Sequence, residues 1–412
     1  MNQPDALRAI PEPQASLWIA RLKGALTGGR RAAPALCIQG GGAKGAWEAG
    51  VLAGLLKAGP NTSPSSIWGT SAGALNALWS RDPEILNDPT KLLCCWTTLA
   101  RRLILVVIGG MVGFFGLISL FSLLPMLLTI SLVALAILMV VFLYILALQH
   151  KIVRLPGLIP PAFARLIVPR PRSIAPGCVV YICVANVDLE TRPELWGPSK
   201  RGWFLLNGKA SDFSAEDLGS GEVVDAFQVA AASASIPVVV RPTRLAGMTL
   251  LDGGLVANLP AGFILSNGAL GGAYVLCIVP RNVRALSTSN PIDHRTLRFL
   301  FELKDAQATQ RSAAAGASSW SGPAHTHIPV FVLSPKRRLK SGLICFWPPL
   351  LRREFWQGYQ EAKIFSGSLD AFSQGDIGPM SEFLLEQVLQ QSDAPVEQPG
   401  RPLWYMWANT RW

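Results

Sequence analysis

The chain has 412 residues, of which 50% are apolar and 15% charged. That length fits two or three domains or one large α/β unit, and that composition excludes a disordered or fibrous chain. The formal net charge of +11 is unevenly placed. From Lys91 to Val187 there is no acid, while Lys91, Arg101, Arg102, Lys151, Arg154, Arg165, Arg170 and Arg172 flank one long apolar run. Cations in that position fit anionic lipid headgroups. A nucleic-acid reader would interleave basic and aromatic residues on a polar face, so no nucleic-acid partner is expected.

Residues 1–33 form a polar lead-in without the apolar core of a secretory signal, so no cleaved leader is expected. A strand at Ala35–Gln39 runs into Gly40, Gly41 and Gly42, and a helix at Ala46–Lys57 stops at Gly59-Pro60. A short strand at Ile67–Trp68 enters Gly69-Thr70-Ser71-Ala72-Gly73, and small helix formers continue to Trp79. This strand–loop–helix alternation predicts a mainly parallel sheet with helices on its faces. Asp82-Pro83-Glu84 is a helix start, and the pattern predicts one helix from there to about Leu99.

From Leu103 to Gln149 the sequence carries no Asp, Glu, Lys or Arg, a run of 47 residues. As one helix it would span about 70 Å, against a hydrocarbon thickness of about 30 Å. Two helices broken around Ser122–Pro125 fit better. Arg101-Arg102 before the run and Lys151 and Arg154 after it place both ends on the cytoplasmic side, which predicts a membrane-embedded hairpin. A single re-entrant or interfacial segment is the alternative. Beyond a Pro-rich connector come a strand at Cys178–Ala185, a helix near Glu222–Ser233, strands on either side of Gly247, and Asp252-Gly253-Gly254. A strand at Tyr274–Val279, a helix at about His294–Ala314, a strand at Ile328–Leu333 and a helix at about Arg352–Phe372 complete the pattern. The tail from Arg401 to Trp412 mixes Arg with Trp and Tyr, which suits a headgroup interface or a loosely packed end.

The seven cysteines are odd in number, mostly in apolar surroundings and without a CxxC pair, and read as buried thiols in a reducing compartment. Of the histidines at 150, 294, 325 and 327, His325 and His327 alternate beside an apolar strand without a Cys or carboxylate nearby, so neither a metal nor another cofactor is expected.

Three short motifs can carry chemistry. Gly40 to Gly45 reads GGGAKG and formally matches GxGxxG, but Ala49 to Arg81 contains no acid to hold a ribose, and no Ser or Thr follows the Lys of a Gly-Lys pair. The same geometry can present backbone N–H groups to a developing oxyanion. Gly69 to Gly73 is a G-x-S-x-G turn between a strand and a helix, the setting that exposes a strained serine. It can equally be an ordinary tight turn with Ser71 as a cap. Asp252 in Leu-Leu-Asp-Gly-Gly can be a base for that serine or a plain turn residue.

Taken together, GGGAKG, GTSAG, ASASIP (232–237) and DGGLVANLP (252–260), in that order, resemble the patatin-like phospholipases. The resemblance covers about Ala35 to Ala261, with less distinctive sequence to about Pro335, and excludes the apolar run and both termini. It implies a three-layer α/β/α patatin-like sandwich with a mainly parallel central sheet and an inserted hydrophobic helical hairpin. The implied activity is phospholipase-type acyl ester hydrolysis by a Ser–Asp dyad without histidine. Ser71 would be the nucleophile and Asp252 the base, and Gly41, Gly42 and Ala43 would form the oxyanion hole, with Lys44 at the family's basic position. Gly40, Gly45, Gly69, Gly73, Gly253 and Gly254 would be the motif glycines. The expected organisation is a lead-in (1–33), a discontinuous hydrolase domain (34–100 and 173–375), the membrane insertion with basic flanks (101–172) and a tail (376–412). The expected partners are phospholipid or other acyl ester substrates and membrane lipids, anionic ones among them. The expected location is the membrane, with the catalytic domain on the cytoplasmic side. Two alternatives stand beside this one: a Ser–His–Asp esterase using His294, and a non-catalytic lipid-binding membrane protein.

Overall fold

In the computed structural model of the chain, the described residues are 33–121, 167–175, 177–186, 201–206, 226–235, 240–245, 248–255, 258–260, 273–286, 328–342 and 345–390, with single positions at 19, 22–24, 26, 133, 136, 296, 300, 301 and 304. Eight strands form one sheet: β1 (Pro34–Ile38), β2 (Ser66–Thr70), β3 (Val179–Asn186), β4 (Arg201–Leu206), β5 (Thr243–Leu245), β6 (Met248–Asp252), β7 (Tyr274–Ile278) and β8 (Val330–Leu333). The described helices are α1 (Gly45–Ala58), α2 (Ala72–Trp79), α3 (Pro83–Asn87), α4 (Leu92–Phe121), α5 (Ala226–Ser233), α6 (Pro348–Ser373), α7 (Gly378–Ser381) and α8 (Leu385–Gln390).

The order β8-β7-β1-β2-β3 is parallel throughout, as the alternation of strands and helices predicts. Beyond it the sheet turns antiparallel: β4 and β6 both pair with β3, and β5 pairs with β6. β4 was not foreseen in the sequence.

The parallel strands read as continuous apolar runs because both of their faces are covered. In β1, Leu36 and Ile38 point into a core shared with α1, α2, α4 and α6. Ala35 and Cys37 point the other way, into a core with Val275, Val332 and the α8 residues Leu385, Val388 and Leu389. Helices thus cover both faces of the sheet, giving the three-layer α/β/α sandwich.

The helix expected from Asp82 to Leu99 is broken. Asp82 caps α3 by accepting from the Glu84 N–H, as its Asp-Pro-Glu signal implies. A second signal of the same kind, Asp88-Pro89, lies six residues on. Pro disfavours helical backbone at the residue before it, and Asp88 adopts φ −138°, ψ 89° ahead of a new 3-10 turn and α4. α4 then runs unbroken to Phe121. The break expected at Ser122–Pro125 and the second limb of the hairpin lie outside the described residues. All seven cysteines are free, but Cys94 and Cys345 are exposed rather than buried. Both stand on segments whose buried contacts are made by aromatic neighbours instead, Trp96 and Phe346.

α1 and α6 are the most closely apposed helices. Backbone meets backbone where they cross: a Cβ on Gly50 would lie 1.9 Å from the Phe355 carbonyl oxygen, and one on Gly358 would lie 2.2 Å from that of Trp47. The Trp47 indole N–H donates across the crossing to Glu361 Oε2 at 2.7 Å. A side chain at Gly50 must therefore force the helices apart. Gly50→Ala is expected to destabilise the fold by about 3 kcal/mol, read as a lowered unfolding midpoint in detergent, whereas Ala at the open Gly367 on the same helix pair should raise the midpoint slightly, because Ala loses less backbone freedom in a helix than Gly.

Candidate active site

β1 and β2 are parallel neighbours, so the loops that follow them emerge at the same edge of the sheet. After Thr70 the chain turns at once into α2, and Ser71 takes φ 54°, ψ −122°. It is the only non-glycine residue with positive φ among the described residues. Such a backbone costs on the order of 1 kcal/mol or more and persists only where its surroundings fix it. Here the Ala74 and Leu75 N–H groups donate to the Ser71 carbonyl, at 3.0 and 3.3 Å. The Ser71 N–H donates to Ser233 Oγ at 2.9 Å, and Ser233 passes the bond on to the Cys183 carbonyl at 2.5 Å. Gly73 lets the turn lie against β1, since a Cβ there would be 2.6 Å from the Ile38 carbonyl oxygen, and Gly69 packs on Gly73 in turn.

Asp252 arrives from the other side of the insertion by a different route. β4 occupies one edge of β3 over Val180–Ala185. The other edge is shared: β2 pairs with Val179–Cys183, and β6 takes over at Val184–Asn186, running the opposite way. The C-terminal ends of β2 and β6 therefore meet head to head, Thr70 beside Cys183 and Asp252 beside Val184. Gly253 fills the junction, where a Cβ would lie 2.0 Å from the Cys183 carbonyl oxygen. Across 181 residues of sequence, Ser71 Oγ donates to Asp252 Oδ2 at 2.8 Å. The other carboxylate oxygen accepts from the Gly254 N–H at 2.7 Å, which fixes the plane of the group. Both side chains are 7% exposed.

The glycine loop closes the third side. Gly40 lies against the elbow, 2.9 Å from Ser71 Cβ to an added Cβ, and its N–H donates to the Asn258 carbonyl at 3.1 Å. Gly41 caps a 3-10 turn, Gly42–Lys44, that leads into α1 at Gly45. Gly42 has φ 58°, a conformation glycine adopts without a steric penalty. The Lys44 N–H turns back to the Gly41 carbonyl, and the first N–H groups of such a turn have no partner within it.

Beneath this loop lies a buried polar chain that sequence reasoning missed. The Trp96 indole of α4 donates to Asn76 Oδ1 at 2.8 Å. Asn76 of α2 donates to the Gly45 carbonyl at 2.8 Å and to Glu48 Oε2 at 3.1 Å. Glu48 is fully buried, its Oε1 has no partner among the described residues, and it lies 3.2 Å from where a Cβ on Gly41 would be. Burial pushes the Glu48 carboxyl well above the usual carboxylate range, opposed by the Asn76 hydrogen bond and by Lys44. No local signal marks Glu48 as different from any acid in the first turn of a helix.

The structure thus brings Ser71, Asp252, the Gly40–Gly45 loop and Gly253-Gly254 to one place. Lys44 starts α1 at its rim, half-buried. Ser233 and Asn258 belong to the ASASIP and DGGLVANLP motifs, yet nothing in the motifs says what each would touch. His294 lies outside the described residues.

A strained serine at the head of a helix, on a mostly parallel sheet and hydrogen-bonded to a carboxylate, is the arrangement of a serine acyl ester hydrolase. Residues 36–122 and 190–265 match the family model of the patatin-like phospholipases. Solved structures similar to it include VipD from Legionella pneumophila, at 15% identity and a TM-score of 0.34, covering 80% of this chain and 66% of that one. Another is human GIVD cytosolic phospholipase A2, at 12% identity and a TM-score of 0.40, covering 94% of this chain and 65% of that one. The chain therefore spans just under two thirds of the length of either. No curated protein gives a significant match.

Ser233→Ala takes the side-chain partner from the Ser71 N–H in a buried place and removes the hydroxyl that binds the Cys183 carbonyl. It is expected to cost about 1–3 kcal/mol of stability and to slow any reaction at Ser71, read from an unfolding midpoint and a turnover assay on one preparation. For Glu48, the folded state binds more protons than the unfolded chain between the ordinary carboxylate pKa and the raised one, so stability falls as pH climbs through that window. Glu48→Gln removes the titration. The variant should gain on the parent as pH rises above the ordinary carboxylate range, and a difference that stays constant with pH would contradict the upward shift of Glu48.

Proposed function

We propose that the chain is a membrane-bound lipid acyl hydrolase that cleaves acyl esters, phospholipids first among them, with Ser71 as nucleophile and Asp252 as its base. The observation that carries this reading is the 2.8 Å hydrogen bond from the strained Ser71 Oγ to Asp252. In the proposed cycle Ser71 Oγ attacks the ester carbonyl carbon and its proton passes to Asp252 Oδ2. The oxyanion is met by the backbone N–H groups of Gly41, Gly42 and Ala43 at the head of α1, with Lys44 adding positive charge at the rim. Collapse breaks the ester C–O bond, and the leaving alkoxide takes the proton back from Asp252. Water then gives its proton to Asp252 and attacks the acyl-serine, releasing the fatty acid and restoring Ser71. Because Oδ1 is engaged by the Gly254 N–H, Oδ2 is the oxygen left for both transfers.

The membrane part of the proposal rests on α4. Among the described residues one helical stretch, Pro89–Phe115, is long and apolar enough to cross a bilayer. Its 27 residues would span about 40 Å, more than the hydrocarbon thickness of about 30 Å. Beyond Arg101 and Arg102 its surface is open and apolar, with Leu105 67% and Phe115 56% exposed. The proposed organisation is a hydrolase domain of residues 34–100 and 173–375 interrupted by a membrane insertion at 101–172, with the hydrolase on the cytoplasmic side where the flanking cations belong. Such an insertion would hold Ser71 beside acyl esters that barely dissolve in water.

Release of fatty acid from mixed phospholipid vesicles by the full-length protein tests the proposal. The parent should be active, and Ser71→Ala and Asp252→Asn should each lose at least about 10³-fold. His294→Ala should retain activity. Parent-like activity in Ser71→Ala would overturn the assignment, and loss in His294→Ala would replace the dyad with a triad.

A further inference from the structure

The edge of the sheet that carries the Ser71 turn carries a second feature, made of residues with no part in the chemistry. β8 is parallel to β7 and β1, so the loop after Leu333 emerges at the same edge as the glycine loop and the elbow. That loop holds Arg337, Arg338 and Lys340, all exposed, with Leu339 and Ser341 buried between and after them. α6 begins at this edge too. Gly358 lies on Trp47 and Val51, and Gly54 lies on Tyr359 and Ala362, so α6 follows the direction of α1, whose first turn is the glycine loop. Its first turns present Arg352 and Arg353 to solvent, and Trp347 and Trp356 are 60% and 42% exposed beside them.

Five cations and two tryptophans on one surface need an explanation, because the acids nearby are used elsewhere. Glu354 is buried and accepts from the Ser341 N–H at 2.7 Å and from the Ser341 hydroxyl. Glu361 is buried and accepts from the Lys336 N–H at 2.9 Å, from Trp47 and from Gln357. These two carboxylates clamp the loop from below by its backbone and leave the cationic side chains outside. Among the described residues no acid forms an ion pair with Arg337, Arg338, Lys340, Arg352 or Arg353. A rigid, uncompensated cluster of this kind is complementary to a negatively charged surface.

The same surface continues to the root of the apolar helix. Phe346, next to Trp347, stacks on Trp96 of α4 with ring centroids 6.2 Å apart and planes 13° apart. Nine residues on, about 14 Å along the axis, the exposed apolar stretch of α4 begins at Leu105. Cations and exposed tryptophans beside the foot of an apolar helix are the composition of a protein surface at the headgroup layer.

We infer that the 337–356 surface is a headgroup-contact site that takes anionic lipids of the bilayer in which α4 is anchored, and that it seats the Ser71 edge of the sheet on the membrane. The inference rests on the membrane-bound hydrolase reading, since an anchored helix is what keeps this surface within reach of headgroups. It goes beyond that reading in giving the bilayer's charge a named contact on the hydrolase domain itself, apart from the basic flanks of the insertion. The tryptophans would lie at the level of the ester groups, and the arginines and lysine would pair with phosphates.

The test uses the full-length protein in nanodiscs of phosphatidylcholine alone and of phosphatidylcholine with 30 mol% phosphatidylglycerol. Two readouts are taken, hydrogen exchange over residues 334–356 and fatty acid release from labelled phosphatidylcholine. The variants are Arg337→Gln/Arg338→Gln/Lys340→Gln and Arg352→Gln/Arg353→Gln. Phosphatidylglycerol should slow exchange in this segment, and 0.5 M salt should reverse the effect. It should also raise the parent's release rate by about tenfold, with both variants keeping the parent's rate in phosphatidylcholine and losing the stimulation. Exchange that is the same in the two discs, or stimulation undiminished in both variants, would overturn the site; the latter would assign the charge effect to the insertion's flanks. Protection by phosphatidylglycerol without any fatty acid release would keep the contact and sink the hydrolase reading. Release without protection would do the reverse. Protection by a soluble acidic peptide equal to that by phosphatidylglycerol would make the partner a protein and overturn the lipid assignment.

Discussion

One edge of β3 holds two strands end to end, and the site exists because of it. β2 supplies the serine turn and β6 supplies the aspartate, each as the residue at or just past its last ladder position. Neither strand could be moved by one residue without undoing the arrangement, because a shift by one turns every side chain to the opposite face. The junction is fixed by close contacts rather than by side-chain reach. Gly253 fits under the Cys183 carbonyl, and Ser233 ties that same carbonyl to the Ser71 N–H. A single peptide of β3 therefore holds both halves in place. The strain at Ser71 is tolerable for the same reason: its carbonyl, its N–H and its hydroxyl all have partners.

Beneath the site, polar groups are buried in a sequence that links three helices. Trp96 of α4, Asn76 of α2 and Glu48 of α1 form one chain, and Trp96 also packs against Gly45, where a Cβ would be 2.4 Å from the indole. Such a chain is stable only if its members stay paired, and burial shifts the incompletely paired Glu48 carboxyl toward its neutral form. α4 is thereby linked through Asn76 to the helix that starts at the glycine loop. Its position and that of the loop are set together.

Much of this was legible in the sequence, and the boundary has physical causes. Glycine loops and elbows announce themselves because they need particular residues at fixed spacing: Gly40 to Gly45 and Gly69 to Gly73 stand where their motifs place them. The parallel strands were legible as apolar runs bounded by turn residues. The site pairing was legible only through resemblance to a family, since nothing local to Asp252 specifies that β6 will pair with Val184 rather than with another strand. β4 was missed because pairing made at a distance, not its own pattern, decides whether such a segment is a strand. Glu48 and Ser233 were missed for a related reason, as burial and partner are properties of the packed chain. The break before α4 is different: Asp88-Pro89 carries the same signal as Asp82-Pro83, and the apolar residues that follow masked it.

The head-to-head junction has a consequence for the order in which the protein is made. Ser71 and its acceptor are 181 residues apart, and the apolar helix lies between them in the chain. A ribosome delivers the serine turn first, then the segment proposed to enter the bilayer, and only much later the aspartate. On the proposed chemistry, the nascent chain passes through the lipid it would hydrolyse while its nucleophile has no base. The serine becomes competent when β6 closes on β3, after the anchor has been placed. On that reading, an apolar segment between the two halves of the site makes dormancy during insertion a property of chain order.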